Sequence, residues 1–189
     1  MDADPAPPDA ERARRLGRVK LLALAAFFML PVAAGYVAYS WWTPGQGSNY
    51  GELLPPRPLD DAAIAALKGK WVLVQFDSGA CDVYCEQKHY FMRQVRKAQG
   101  KDQARVERLW LVTDRAAPRK ELLDAISGTR IQQEVSPRLA AQFAAPGEAV
   151  NHIFIVDPLG NLMLRFPRDP DPRRMIKDLQ LLLKASQIG

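Results

Sequence analysis

Residues 71–89, WVLVQFDSGACDVYCEQKH, decide the fold, and the rest of the chain is read outward from them. Trp71 to Phe76 form an apolar and aromatic run after Gly69-Lys70, the composition of a strand buried on both faces. From residue 82 to 99 there is neither Gly nor Pro, and Tyr84, Phe91, Val95 and Ala98 recur at helical spacing, which predicts an amphipathic helix ended by Gly100. Residues 107–113, ERLWLVT, supply a second buried strand. Strand, helix and strand within about 45 residues make a right-handed crossover with parallel strands.

Downstream, Pro118 to Ile126 predicts a helix with Pro at its start, residues 129–135 a weak strand, and Ser136-Pro137 a helix running to Phe143. His152 to Val156 and Leu162 to Phe166 flank the turn-rich DPLGN of residues 157–161 and read as an antiparallel hairpin. Asp171-Pro172 opens a last helix over residues 172–185, with Met175, Ile176, Leu179, Leu182 and Leu183 on one face. A parallel crossover followed by a hairpin and a closing helix predicts an α/β fold, a thioredoxin-like sandwich.

Upstream, residues 21–42, LLALAAFFMLPVAAGYVAYSWW, carry no charge, and as a helix they would reach roughly 33 Å, enough to span a bilayer. Arg12, Arg14, Arg15, Arg18 and Lys20 precede the span and mark its cytoplasmic side, while Tyr36, Tyr39, Trp41 and Trp42 suit the far headgroup zone. A cleaved signal peptide shares this pattern, and Val32-Ala33-Ala34 offers small residues, but the run exceeds a signal core of about 7–15 residues and ends in bulky aromatics. The expected organisation is a basic, disordered cytoplasmic tail over residues 1–20, a transmembrane helix over 21–42, a Pro/Gly-rich tether over 43–59 and a thioredoxin-like exterior domain over 60–189. In a bacterial-type inner membrane that domain is periplasmic.

Composition narrows the chemistry. A chain of 189 residues, 48% hydrophobic and 25% charged, has room for one folded domain plus an appendage. Two cysteines and two histidines exclude a disulfide-dense scaffold and any site needing many imidazoles. The net charge of +5 arises from 26 basic and 21 acidic side chains without a long basic run, so no nucleic-acid partner is expected.

Both cysteines fall beyond the carboxyl end of the first strand, where open α/β sheets build their sites. Cys81 is placed at or just before the helix start and Cys85 one turn inside, so the two sulfurs can converge. The positive helix end favours thiolate, the form that attacks disulfides and binds soft metals. The pair therefore reads as a redox couple or a metal site, with a static disulfide as the plainer alternative. His89 lies eight residues beyond Cys81, a rise of about 12 Å if all of it is helical, too far for one ion to bridge, so it is expected to be exposed or partly packed. His152 follows the loop 145–151, which can reach the helix terminus. Asp82 is expected to cap the helix.

A membrane anchor, a thioredoxin-like exterior domain, CDVYC after an apolar strand and a histidine opening a strand before DPLGN resemble the Sco/SenC proteins over roughly residues 45–187. The resemblance implies a copper chaperone that assists metallation and assembly of cytochrome c oxidase, with the oxidase's copper-bearing subunit and a copper donor protein as partners. Carried over residue by residue, the implied copper ligands are Cys81, Cys85 and His152. This sequence departs from the family in having Glu86 where Pro is usual, Asn151 where Asp is usual, and a short segment between Asp114 and Asn151. Two thiolates and an imidazole are a soft set that suits Cu(I) and also accommodates Cu(II), whereas structural zinc would need a fourth ligand from Asp77, Asp82 or His89. The competing reading is a membrane-anchored thiol:disulfide oxidoreductase acting on exported or oxidase-subunit cysteines, with Cys81 and Cys85 as the catalytic redox pair. Against it, C-x-x-x-C is looser than C-x-x-C, and no proline immediately precedes the strand at His152.

Overall fold

The computed structural model describes residues 8–41, 49–144, 147–186 and 188. It falls into two compact units, Met1–Gly47 and Ser48–Gly189. The described part of the first unit is one helix, α1 (Pro8–Trp41), which runs through Pro31. Its stretch Arg14–Ala38 is long and apolar enough to cross a membrane. The helix begins inside the segment expected to be disordered, because Pro8 suits a first helical position and the following Ala, Glu and Arg residues are good helix formers. The rest of the tail, residues 1–7, lies outside the described residues, as do Trp42 and the tether up to residue 48.

The second unit is an α/β sandwich with the thioredoxin-like fold. Its strands are β1 (Glu52–Pro58), β2 (Trp71–Asp77), β3 (Val106–Val112), β4 (Arg130–Gln132), β5 (Ile153–Val156) and β6 (Asn161–Arg165), and its helices are α2 (Ala62–Ala65), α3 (Val83–Lys97), α4 (Lys120–Ala125), α5 (Pro137–Phe143) and α6 (Pro172–Ala185). The strands form one sheet in the order β1-β6-β5-β2-β3-β4. β3 runs parallel to β2 and β4, whereas β5 pairs antiparallel with β2 and β6. This is the expected crossover followed by the expected hairpin.

Strand alternation divides the core between the two faces. Val72, Val74 and Phe76 of β2 join Leu109, Leu111 and Phe154 in packing against Ile64 of α2 and Leu139 and Phe143 of α5. Leu73 joins Ile153, Ile155, Leu164 and Phe166 under Met92 and Val95 of α3 and Met175, Leu179 and Leu183 of α6. Each such fully buried side chain contributes about 1.5–3 kcal/mol relative to exposure. β2, buried along its whole length, is therefore the hinge of the architecture.

Two sequence expectations change here. The stretch expected to be a tether contributes β1, which pairs antiparallel with β6 through Glu52↔Arg165 and Pro58↔Asn161, so the compact unit starts before residue 60. β1 lies at the sheet edge, the place where strand prolines are tolerated because a missing N–H need not face a partner. Its start is pinned by the buried carboxylate of Asp178, which accepts from the Tyr50 and Gly51 amides at 3.0 and 2.8 Å. The inward face of α3 is also shifted from the predicted one: Val95 is buried and Phe91 packs on the core as expected, but Ala98 is exposed, and Cys85, Lys88, His89 and Met92 are the other buried residues.

Candidate metal centre

The chain leaves β2 at Asp77 and turns through residues 78–82 before α3 begins, and Asp82 caps that helix as expected, accepting from the Cys85 amide at 2.9 Å. Cys81 lies outside the helix with φ +45°. Its amide donates to Ser78 O at 3.0 Å, which closes the turn. Asp114 latches the turn to the segment after β3, its Oδ1 accepting from the Gly79 amide at 2.9 Å and the Ala116 amide at 3.1 Å. A hydrogen bond from the Ser78 side chain first, and then those amides, hold its carboxyl below the ordinary range. Gly79 is demanded by the close approach of the two segments, since a Cβ there would stand 1.8 Å from the carbonyl oxygen of Ala116. Gly79→Ala is therefore expected to cost on the order of 1–3 kcal/mol by forcing the two segments apart, read as a shift of the urea unfolding midpoint.

The turn at Cys81 folds its side chain back over the first turn of α3, where it forms a disulfide with Cys85. Both cysteines are buried, packed with Trp110, Val112, Leu122 and Ile126. His89 is 2% exposed, its ring edge-on to Trp110 with centroids 4.7 Å apart. Neither ring nitrogen has a hydrogen-bond partner among the described residues. Ligand atoms of Cys81, Cys85 and His89 all lie within 4.8 Å of one another. The expectation that His89 is exposed or partly packed, and out of reach of the sulfurs, is thus corrected. Cys81 is not helical, so the full helical rise does not separate it from His89, and side chains on a helix lean toward its N-terminus, carrying the imidazole back toward the pair.

Burial drives the His89 pKa from 6.5 down to about 3, with Lys88 and Arg108 adding repulsion. The unfolded chain binds the proton at higher pH than the native one, so the stability contribution of neutral His89 is present above about 6.5 and is lost as pH falls toward 3. In His89→Leu the acid unfolding curve is expected to lose that component, measured as urea midpoints between pH 4 and pH 7.

A polar network lies beneath the sulfurs. Gln75 Nε2 stands 3.7 Å from Cys85 Sγ and 3.4 Å from Asp77 Oδ2. Lys88 Nζ is 2.6 Å from Asp77 Oδ2 and donates to the carbonyls of Phe76 at 3.1 Å and Val150 at 2.5 Å. Tyr84 donates to Asn151 O at 3.0 Å, so α3 grips the segment leading into β5 at two successive residues. Arg119 reaches the Cys81 carbonyl at 3.4 Å and also contacts the Glu86 carboxylate, bracing the pair from the α4 side.

His152 lies half-buried at the start of β5, its Nδ1 2.8 Å from Phe166 O and its ring 6.0 Å from that of Phe154. It borders a cavity of about 290 Å³ with Tyr50, Glu52, Arg165, Phe166, Pro167 and Arg168. Among the described residues, the gathered ligand group contains Cys81, Cys85 and His89 and not His152. Sequence reasoning passed over Gln75, Lys88 and Trp110. A signal for the buried face was the i, i+3, i+4, i+7 set Cys85, Lys88, His89, Met92, hidden because two of its members are polar.

The fold recurs in known structures. Yeast Sco1 with copper bound is 15% identical, with a TM-score of 0.55 over 75% of this chain and 96% of that one. Arabidopsis thaliana ScoI with copper bound is 10% identical, with a TM-score of 0.52 over 65% and 89%. The thioredoxin domain of a thiol-disulfide oxidoreductase from Bacteroides vulgatus is 18% identical, with a TM-score of 0.45 over 72% and 99%. At these identities the likeness to the two Sco structures is one of fold. No curated protein matches the chain. The family model for the transmembrane-like, thioredoxin-like C-terminal domain matches residues 71–186, and with the sandwich and the apolar N-terminal helix described above, the chain belongs to that family.

Proposed function

We propose that this protein is a membrane-anchored copper carrier whose thioredoxin-like domain holds one copper ion through the reduced Cys81 and Cys85 and an imidazole. The observation that carries the reading is the gathering of two sulfurs and the unpartnered His89 ring within 4.8 Å. The donor set fits the cargo: thiolate and imidazole select Cu(I), and the same atoms accommodate Cu(II). Copper-bound Sco structures with this fold support the choice of metal. The metal-accepting form is the dithiol, reached when a partner dithiol reduces the Cys81–Cys85 bond by two electrons and two protons.

His89 is the imidazole favoured by proximity. The Sco/SenC resemblance assigns His152, and one observation favours it: Nδ1 engaged with a backbone carbonyl leaves Nε2 to bind metal, the usual arrangement of metal-bound histidine. The basic residues before the apolar stretch of α1 orient the N-terminus to the cytoplasm and the carrier domain to the periplasm. Clients are then copper-accepting proteins of the same membrane, with the copper-bearing subunit of cytochrome c oxidase first among them.

The full-length chain in non-ionic detergent, reduced and anaerobic, is expected to take up one equivalent of Cu(I) in competition with a colorimetric chelator. Uptake no greater than that of a chain lacking both cysteines overturns the proposal. The second reading, a thiol:disulfide oxidoreductase, is favoured by the disulfide itself. It predicts rapid catalysed reduction of insulin, where a carrier is slow.

A further inference from the structure

Arg108 points from β3 toward the α3 face and is 4% exposed, yet it has no carboxylate partner among the described residues. Its Nη2 donates to Ser127 O at 2.7 Å, while Nε and Nη1 are buried without a partner among the described residues. Two more guanidinium groups share the neighbourhood. Arg93 spends Nη1 on Ala125 O at 3.0 Å and keeps a buried, unpartnered Nε, and Arg96 donates through Nε to Val106 O at 2.5 Å. The hydroxyl of Thr129, next to Gly128 beside the Arg108 fork, is buried and unpartnered as well. Burial first, then repulsion from Arg96 and Arg93, hold the Arg108 pKa below its ordinary value, and the one attractive charge, Glu107, is the weakest influence. Glu107 is the adjacent residue of the strand, so its side chain leaves from the opposite side of the pleat.

A guanidinium stripped of water and left unpaired is costly, and native proteins neutralise such groups with a counter-charge. We propose that Arg108, Arg93 and Thr129 form a binding site for a small tetrahedral oxyanion of the phosphate or sulfate class, seated between α3, β3 and the turn after α4. The planar fork of Arg108 offers two N–H groups to such an anion, and oxyanions are matched by that geometry better than halides are. The site is independent of the copper reading, because it uses none of the sulfur or imidazole ligands. Its role is to tie the C-terminal half of α3 to β3 and to the turn after α4, beside the layer on which His89 and Trp110 pack.

The test is thermal unfolding of the full-length chain in non-ionic detergent, titrated with inorganic phosphate, sulfate or chloride at constant ionic strength. Phosphate and sulfate should raise Tm with the logarithm of concentration above Kd, by about 5–10 °C at a hundredfold excess over Kd, and chloride should not. Arg93→Gln, at the rim of the site, should weaken the apparent phosphate affinity about tenfold or more, as should Arg108→Lys, which keeps the charge and loses the fork. Arg138→Gln, at an exposed position of α5, should leave the response unchanged. Equilibrium dialysis should return one phosphate per chain. A flat phosphate response in the wild-type chain, an equal response to chloride, or an unaltered response in Arg93→Gln overturns the proposal.

Discussion

Cys85→Ser is expected to lower Cu(I) affinity by about a hundredfold or more, on a scale in which structural zinc gains roughly 10–16 kcal/mol from four ligands. Cys81→Ser should do the same, because each variant removes one of only two sulfurs in the gathered set. The loss is separable from unfolding. The closed loop spans a sequence separation of 4, and losing so short a cross-link costs about 2 kcal/mol of stability in the chain-entropy account. A variant that melts within a few degrees of wild type but fails to hold copper against the chelator isolates ligation from folding. Unchanged copper affinity in either variant places the metal elsewhere.

The site was legible in part, and the limits have physical causes. Punctuation by Gly and Pro and the apolar periods of 71–76, 107–113 and 172–185 carried the order of elements, since each period matches a buried face found in the structure. The helix start at Asp82 and the facing sulfurs followed from spacing alone. Pro55, Pro56 and Pro58 concealed β1, because their composition is that of a linker and only the edge position makes a strand of them. Reading Cys81 as part of a continuous helical rise hid His89; the positive φ at Cys81 changes the path, and no rule of composition announces that value for a cysteine. Lys88 was masked by its charge. Its stem crosses the core, and its ammonium finds two carbonyls and a carboxylate contributed by segments remote in sequence.

That network yields the second large effect. Asp77→Leu removes the only carboxylate in ion-pair contact with the buried Lys88 ammonium among the described residues and should cost about 3–5 kcal/mol, the penalty of an interior charge left without its partner. Replacing both members, Asp77→Leu with Lys88→Met, should be less damaging than Asp77→Leu alone, because the burial penalty of each ion disappears with it. Urea unfolding of both variants reads the comparison. Burial outweighs the attraction of Lys88 and pushes the Asp77 carboxyl from 3.8 up to about 6, while it lowers Lys88. The native chain therefore holds the Asp77 proton to higher pH than the unfolded chain, and this component of stability falls as pH rises from about 4 to about 6. Asp77→Asn should abolish the falling component, whereas His89→Leu abolishes the rising one. A double variant as unstable as Asp77→Leu, or an Asp77→Asn profile identical to wild type, would show that the pair does not behave as a desolvated couple.

The polar network and the proposed metal centre are mechanically linked. Gln75 touches both Cys85 and Asp77, and the grip of Lys88 and Tyr84 on Val150 and Asn151 fixes the approach to His152. Damage to the ion pair should therefore disturb both His89 and His152, the two imidazoles weighed for the proposed copper site.

The most direct measurement is copper K-edge X-ray absorption of the reduced full-length chain loaded with one Cu(I), recorded for wild type, His89→Ala and His152→Ala. The account predicts two sulfurs and one imidazole nitrogen in wild type and His152→Ala, with the nitrogen lost in His89→Ala. Retention of the imidazole in His89→Ala and its loss in His152→Ala would contradict the assignment of His89, and a spectrum without two sulfurs would contradict the carrier site itself.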